Sequence, residues 1–103
     1  MAHAEYEKHL KTVRSARREL ALGIVMYNSG APADPGAVKV IVDNMMKTEN
    51  TPINAIEAFK VLDAASAVRK SAELLLKAYD AESAEAGAEL AAEAGHLIAH
   101  WIL

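Results

Sequence analysis

Hydrophobic residues recur along most of this chain at intervals of three and four, the spacing that places them on one face of an α-helix. Four such segments are predicted, over residues 4–28, 35–47, 51–80 and from about 80 to the last residue. One strand-like run, residues 38–42, directly follows a helix start, so we interpret it as buried helix. The pattern predicts an all-α protein, an up-down-up-down four-helix bundle with a short second helix.

Residues that end or begin helices separate these segments. Gly30 can take the left-handed conformation that ends a helix. Asp34 followed by Pro35 predicts the start of the second helix, because aspartate caps free backbone N–H groups and proline suits the first helical turn. Thr51 followed by Pro52 predicts the start of the third helix in the same way.

The boundary between the third and fourth helices is less clearly marked. Asp80, with Glu82 close behind it, predicts an N-cap for the fourth helix. Residues 81–87 also suit a continuation of the third helix with only a kink. Both interpretations are compatible with the sequence.

The third predicted helix is apolar on two opposite faces. The first face consists of Ala58, Val61, Ala65, Val68, Ala72, Leu75 and Tyr79. The opposite face consists of Ile56, Ala64, Ala67, Leu74 and Ala78. A helix with one buried face would leave the second set in water, so we expect this helix to have neighbours on both sides.

Surplus apolar surface predicts self-association. In the second half of the first helix, Leu22, Val25 and Met26 face away from the stripe expected to build the core. The predicted contact with something outside the chain consists of Leu22, Val25, Met26, Ile56, Leu74 and Ala78. Because large exposed apolar patches usually mark interfaces, we expect a homo-oligomeric, non-enzymatic helical scaffold or assembly protein.

Composition narrows the function classes. A length of 103 residues suits one domain with a single core, and hydrophobic residues at 52% with only 5% aromatics predict closely approached helices. The net charge of −3 argues against a nucleic-acid partner, and the absence of cysteine excludes disulfides and thiolate chemistry.

The longest uncharged apolar run, residues 20–27, is too short to span a membrane. The first residues lack a signal-peptide pattern, so we expect a soluble, cytosolic-type protein.

Basic and acidic residues are concentrated on different predicted helices. The first predicted helix is rich in Lys and Arg, whereas the fourth carries four glutamates and no Lys or Arg. Opposite charge along a shared edge favours these two helices as neighbours.

Arg17 lies on the apolar stripe of the first helix and needs a partner, for which Asp63 and Ser66 are at a similar level. A small-molecule site with polar contacts from Arg17, Asp63, Ser66 and Arg69 is therefore an alternative function.

Histidines near the two ends of the chain suggest a further alternative, a zinc or other transition-metal site. His96 and His100 are four residues apart, and Glu93 precedes His96 in an E-x-x-H pattern. An antiparallel bundle brings the chain ends together, which adds His9 to this set. Against this site, the two C-terminal histidines share a helix face with glutamates, and the helix dipole alone favours histidine there.

Catalytic chemistry is not indicated. No serine, histidine and acid occur in a grouping with readable spacing, so we do not expect an enzyme. Strong caps, proline in first helical turns and the Ala/Glu-rich residues 81–95 are also typical of designed helices. A de novo designed scaffold is therefore one interpretation of this sequence.

Overall fold

The computed structural model describes residues 2–52 and 58–101, with side-chain surroundings for residues 6–52 and 59–101. It contains four helices: α1 (Ala2–Asn28), α2 (Pro35–Glu49), α3 (Ala58–Tyr79) and α4 (Ala84–Ala99). No strand occurs within these described residues. The predicted all-α four-helix fold is confirmed, and α2, at 15 residues, is much shorter than the 27-residue α1.

The third helix is the centre of the bundle. It packs against α1, α2 and α4, and α1 also contacts both α2 and α4. Within the described ranges α2 and α4 do not contact each other, because α3 lies between them. The expectation that α3 has neighbours on both sides is therefore confirmed, as is the predicted pairing of α1 with α4.

Contacts along the helices give their directions. Ser71 contacts Ala94, and Ala78 lies beside Gly87, so α3 and α4 run in opposite directions. The end of α1 lies beside the start of α2, and the middle of α1 lies beside the second half of α2. The start of α2 lies beside the end of α3, and the end of α2 contacts the middle of α3, so these two helices also run in opposite directions. The chain thus goes up, down, up and down, as predicted.

The core is built from small and medium-sized side chains. The largest side chains that are almost fully buried are Leu20, Met45, Leu75, Val13, Val61, Val68 and Ser71. Alanines fill much of the remaining interior, which lets the helices approach closely. In the part of the chain that the structure describes, no helix is both long and apolar enough to cross a bilayer.

The connection between α1 and α2 follows the sequence prediction. Gly30 has a φ of 81°, its N–H donates to the carbonyl of Tyr27, and the next N–H, of Ala31, donates to Met26. These two bonds form a Schellman motif, which needs the left-handed glycine. Asp34 then caps α2, since its Oδ1 accepts from the backbone N of Ala37 at 3.2 Å.

The predicted start of α4 at Asp80 is wrong. α3 ends at Tyr79, and α4 begins at Ala84 with Ser83 as its N-cap, whose hydroxyl accepts from the N–H of Ala86 at 3.1 Å. The N–H of Asp80 donates back to α3 instead. The alternative of a continuous, kinked helix is also wrong. Serine is as good a cap as aspartate, so residue type alone does not choose between Asp80 and Ser83.

The start of the third helix was predicted at Thr51. The Thr51 hydroxyl contacts the end of α2, donating to the carbonyl of Lys47 at 2.7 Å. Residues 53–57, where the first turn was expected, lie outside the described residues, as does Ile56 of the predicted interface. α2 itself continues two residues beyond the predicted end at Lys47, to Glu49.

Candidate functional site

The outer face of α1 near its C-terminal end carries three exposed apolar side chains. Leu22, Val25 and Met26 are 60%, 62% and 46% exposed, whereas Leu20 and Ile24 on the opposite side are buried. Positions 22 and 26 are one helical turn apart and position 25 lies beside them, so the three are neighbours on the surface. We call Leu22, Val25 and Met26 the α1 patch.

An apolar cleft of 260 Å³ opens at the edge of the α1 patch, and two residues of that patch, Leu22 and Met26, line it. It lies between the second half of α1, the α1–α2 connection and the first half of α2, and α3 forms its floor. Its inner surface includes Leu20, Gly23, Tyr27, Val38, Ile41 and Leu75. We call this space the α1–α2 cleft.

Small residues create the α1–α2 cleft. Gly23 has no side chain to fill the space above α3, and a Cβ placed there would lie 3.4 Å from Cδ2 of Leu75, an ordinary contact distance. Across the cleft, Ala31 and Ala37 also contribute little volume. These three small residues therefore leave space in the lining that larger side chains would fill.

Two tyrosines close one end of the cleft. The rings of Tyr27 and Tyr79 pack with centroids 5.8 Å apart and planes tilted by 49°. The hydroxyl of Tyr27 donates to the carbonyl of Ala78 at 3.4 Å, which ties α1 to the end of α3. An aromatic pair of this geometry contributes about 0.5–1.5 kcal/mol beyond the area that it buries.

Arg17 has a partner that differs from the predicted one. Its Nε donates to the carbonyl of Ile98 at 3.0 Å, in the last turn of α4, whereas Asp63 is exposed and Ser66 is half-buried on α3. The Ile98 carbonyl also accepts from the backbone N–H of Trp101, and it lies at the negative end of the α4 dipole, so a guanidinium suits its second acceptor site. Arg17 therefore joins α1 to α4 within the chain.

Arg69 is likewise engaged within the chain. Its guanidinium pairs with Glu49 at the end of α2 at 2.6 Å and with Glu73 one turn further along α3. The hydrogen bond with Glu49 is the main reason why the pKa of Arg69 is raised above its ordinary value. The four predicted ligand-binding residues, Arg17, Asp63, Ser66 and Arg69, thus include two arginines with separate partners within the chain, and the small-molecule site that they were expected to form stays a prediction.

The histidines lie on the outside of the bundle. His96 and His100 are exposed, as is Glu93, and His9 is half-buried on α1. Among the side chains that the structure describes, no three histidines or carboxylates are grouped closely enough to hold a metal ion. The zinc alternative stays a prediction.

In the structure, some residues of the predicted interface are exposed and others are buried. The α1 patch is free on the surface, as the pattern indicates, but Ala78 is only 3% exposed and Leu74 is half-buried. α4 covers this second face of α3: Ser71 on the same face donates to the carbonyl of Ala94 at 2.7 Å. Assigning Ala78 to an outside contact is therefore corrected, because its neighbour belongs to the same chain.

The α1–α2 cleft was not predicted from the sequence. The sequence feature that could have indicated it is Gly23, which interrupts the apolar side of α1 between Leu20 and Tyr27 without ending the helix. Glycine is costly inside a helix, and such a position often marks close packing or a gap. No protein-family model, no curated protein and no solved structure matches this chain.

Proposed function

We propose that this protein is a non-enzymatic assembly domain that self-associates through the α1 patch. The observation that carries the proposal is the exposure of Leu22, Val25 and Met26 side by side on one helix face. Contiguous apolar surface of this kind is typical of protein–protein contacts. A second copy is the simplest partner, since a two-fold contact uses the same patch on both chains.

Charge on the same face favours an antiparallel arrangement of the two α1 helices. Lys11, Arg14 and Arg18 are exposed on the turns that precede the patch. Parallel helices would bring these cations together. In a two-fold pair centred on position 24, each Arg18 lies six residues away, about 9 Å along the helix. The two guanidinium groups are then about 18 Å apart, beyond the screening length of about 8 Å in physiological salt.

The contact is expected to be weak. Three side chains expose far less surface than the roughly 600 Å² per partner of the smallest stable interfaces. Association should therefore depend on protein concentration over about 10 µM to 1 mM. Sedimentation equilibrium over this range measures it directly.

Two matched substitutions test the site. Val25→Glu places a carboxylate in the α1 patch, and Val40→Glu makes the same change on α2, where Val40 is 57% exposed. Both positions are inside helices, so helix propensity changes equally. We expect Val25→Glu to be monomeric throughout and Val40→Glu to associate like the unchanged protein. A monomer at 1 mM without substitution, or equal effects of the two changes, overturns the proposal.

An assembly role also suits the remaining surface. Side-chain caps at Asp34 and Ser83 fix two helix starts, and α4 presents alanine and glutamate to solvent. These features are common in designed helical scaffolds, where a stable frame carries one contact surface. We include a designed origin in the proposal on that ground.

A further inference from the structure

The interior of the α1–α2 cleft has room for a small ring. Its volume is 260 Å³, and an engineered apolar cavity of about 150 Å³ in another protein is large enough to bind benzene. The lining is aliphatic and aromatic: the buried Leu20, Val38, Ile41 and Leu75 lie at its base, and Leu22, Met26 and Tyr27 add more exposed apolar surface. A six-membered ring with a short chain therefore fits the space and its apolar character.

Polar groups inside the cleft offer little for recognition. The hydroxyl of Tyr27 is already engaged with the carbonyl of Ala78. Over the described residues, no buried side-chain nitrogen or oxygen lacks a hydrogen-bond partner. Besides Tyr27, the hydroxyl of Tyr79 is the one uncharged side-chain polar group among the described lining residues, so we expect the polar group of a ligand to lie at the mouth, where the charged side chains are.

The mouth of the cleft is acidic. Among the described residues that line it, Glu19 and Asp34 are the only charged side chains, and both are exposed. Asp34 uses one carboxylate oxygen to cap α2 through Ala37, which offsets the positive end of that helix. Glu19 makes no hydrogen bond or ion pair within the described part of the chain. A cation at the mouth would complement this charge.

We propose that the α1–α2 cleft binds small amphipathic cations, with an aromatic or branched aliphatic body inside and an ammonium group beside Glu19. Leu22 and Met26 of the α1 patch also line the cleft, so a second copy on the patch would compete with a ligand, whereas Val25 lies outside the cleft and can be changed without altering its lining. Anionic amphiphiles of the same shape should bind more weakly, because the two carboxylates repel them. The dissociation constant for so small a ligand is on the order of 1 mM.

Three probes of similar shape but different charge distinguish the contribution of charge to the affinity from that of apolar contact. They are 2-phenylethylammonium, 2-phenylethanol and 3-phenylpropionate. Binding is followed by amide NMR shifts in Val25→Glu, so that association of copies cannot cover the mouth. We expect shifts at Gly23 and Ala37. An exposed ion pair predicts that the cation binds about three- to fivefold more tightly than the alcohol, and the carboxylate most weakly.

Substitutions locate the two parts of the site. Glu19→Gln should bring the affinity of the cation close to that of the alcohol, while Glu85→Gln, an exposed glutamate of α4, should leave the ratio unchanged. Ala37→Leu, at an exposed position on the cleft wall, should fill the space and abolish binding of both. Equal affinity for all three probes, shifts away from the cleft, or an unchanged ratio in Glu19→Gln overturns the proposal. None of these results bears on the α1 patch, whose test is the mass in solution.

Discussion

The hydroxyl of Tyr27 in α1 occupies the space that a side chain at Gly87 of α4 would need. A Cβ at position 87 would collide with the Tyr27 oxygen and would lie 3.3 Å from the carbonyl oxygen of Ala78. Gly87 is buried, and its missing side chain lets α4 approach α3 while the tyrosine passes between them. Three helices thus meet at one glycine.

Replacing this glycine should destabilise the bundle. Gly87→Ala gains up to about 1 kcal/mol of helix propensity but forces the tyrosine aside, at a cost of about 1–3 kcal/mol. We expect a net loss in the free energy of unfolding measured by urea denaturation. Gly95→Ala, at a second α4 glycine with nothing within 4 Å of the added Cβ, should instead stabilise by about 0.5–1 kcal/mol.

A double-mutant cycle checks the cause. Tyr27→Phe removes the hydroxyl that a Cβ at Gly87 would meet, so the alanine should cost less in that background. If Gly87→Ala is as harmful in the Tyr27→Phe background as in the unchanged protein, the hydroxyl is not the obstacle and this account of the three-helix contact is wrong.

The buried hydroxyl of Ser71 should contribute to stability. Ser71 is fully buried, and its hydroxyl donates to the carbonyl of Ala94 at 2.7 Å. Ser71→Ala removes a net contribution of about 1 kcal/mol. Ser15→Ala, at an exposed position of α1, is the control and should cost less than about 0.5 kcal/mol. Equal unfolding free energies for the two variants would contradict the assigned role.

Ser71 also illustrates what the sequence could predict. It completes the second apolar face of α3, between Ala67 and Leu74, and this face correctly indicated a neighbour on that side. Periodicity defines which side chains share a face, but not which surface covers it. Whether α4 or a second copy lies there depends on how the loops direct the helices, and the covering helix is α4.

In the candidate site, too, the sequence predicts some features and not others. Exposure of the α1 patch follows from helical spacing alone, and the sequence predicted it correctly. The cleft depends on how far α1 and α2 separate around Gly23, a property of packed volumes that no spacing rule contains. Likewise, the polar partner of Arg17 is a backbone carbonyl, of Ile98, which no residue type indicates in advance.

Arg17 should stabilise the contact between α1 and α4. Its hydrogen bond to the carbonyl of Ile98 is made by a charged donor at a helix C-terminus, which predicts a contribution of about 1–2 kcal/mol. Arg17→Met keeps an apolar stem of similar length, so lost packing should be small. Arg18→Met, the exposed neighbour, should change the free energy of unfolding by less than about 0.5 kcal/mol. Equal losses of unfolding free energy in Arg17→Met and Arg18→Met would show that the hydrogen bond of Arg17 does not stabilise this contact.

The ion pairs of Arg69 should contribute modestly and depend on salt. The Arg69, Glu49 and Glu73 side chains are partly exposed, and such networks contribute about 0.5–1 kcal/mol. Arg69→Met should lower the free energy of unfolding by this amount in dilute buffer and by less in 1 M NaCl, where the screening length falls to about 3 Å. Lys70→Met, at an exposed position, is the control.

The raised pKa of Arg69 fixes the pH dependence of this contribution. A group whose pKa is higher in the folded chain stabilises it fully below the unfolded pKa and loses the effect as pH rises through the folded value. For arginine that loss lies in strongly alkaline solution, so titration of Arg69 itself should leave the difference between Arg69→Met and the unchanged protein constant from about pH 6 to 9. Urea denaturation at several pH values measures this difference. A steady decline across that range would show that a group other than Arg69 controls the contact.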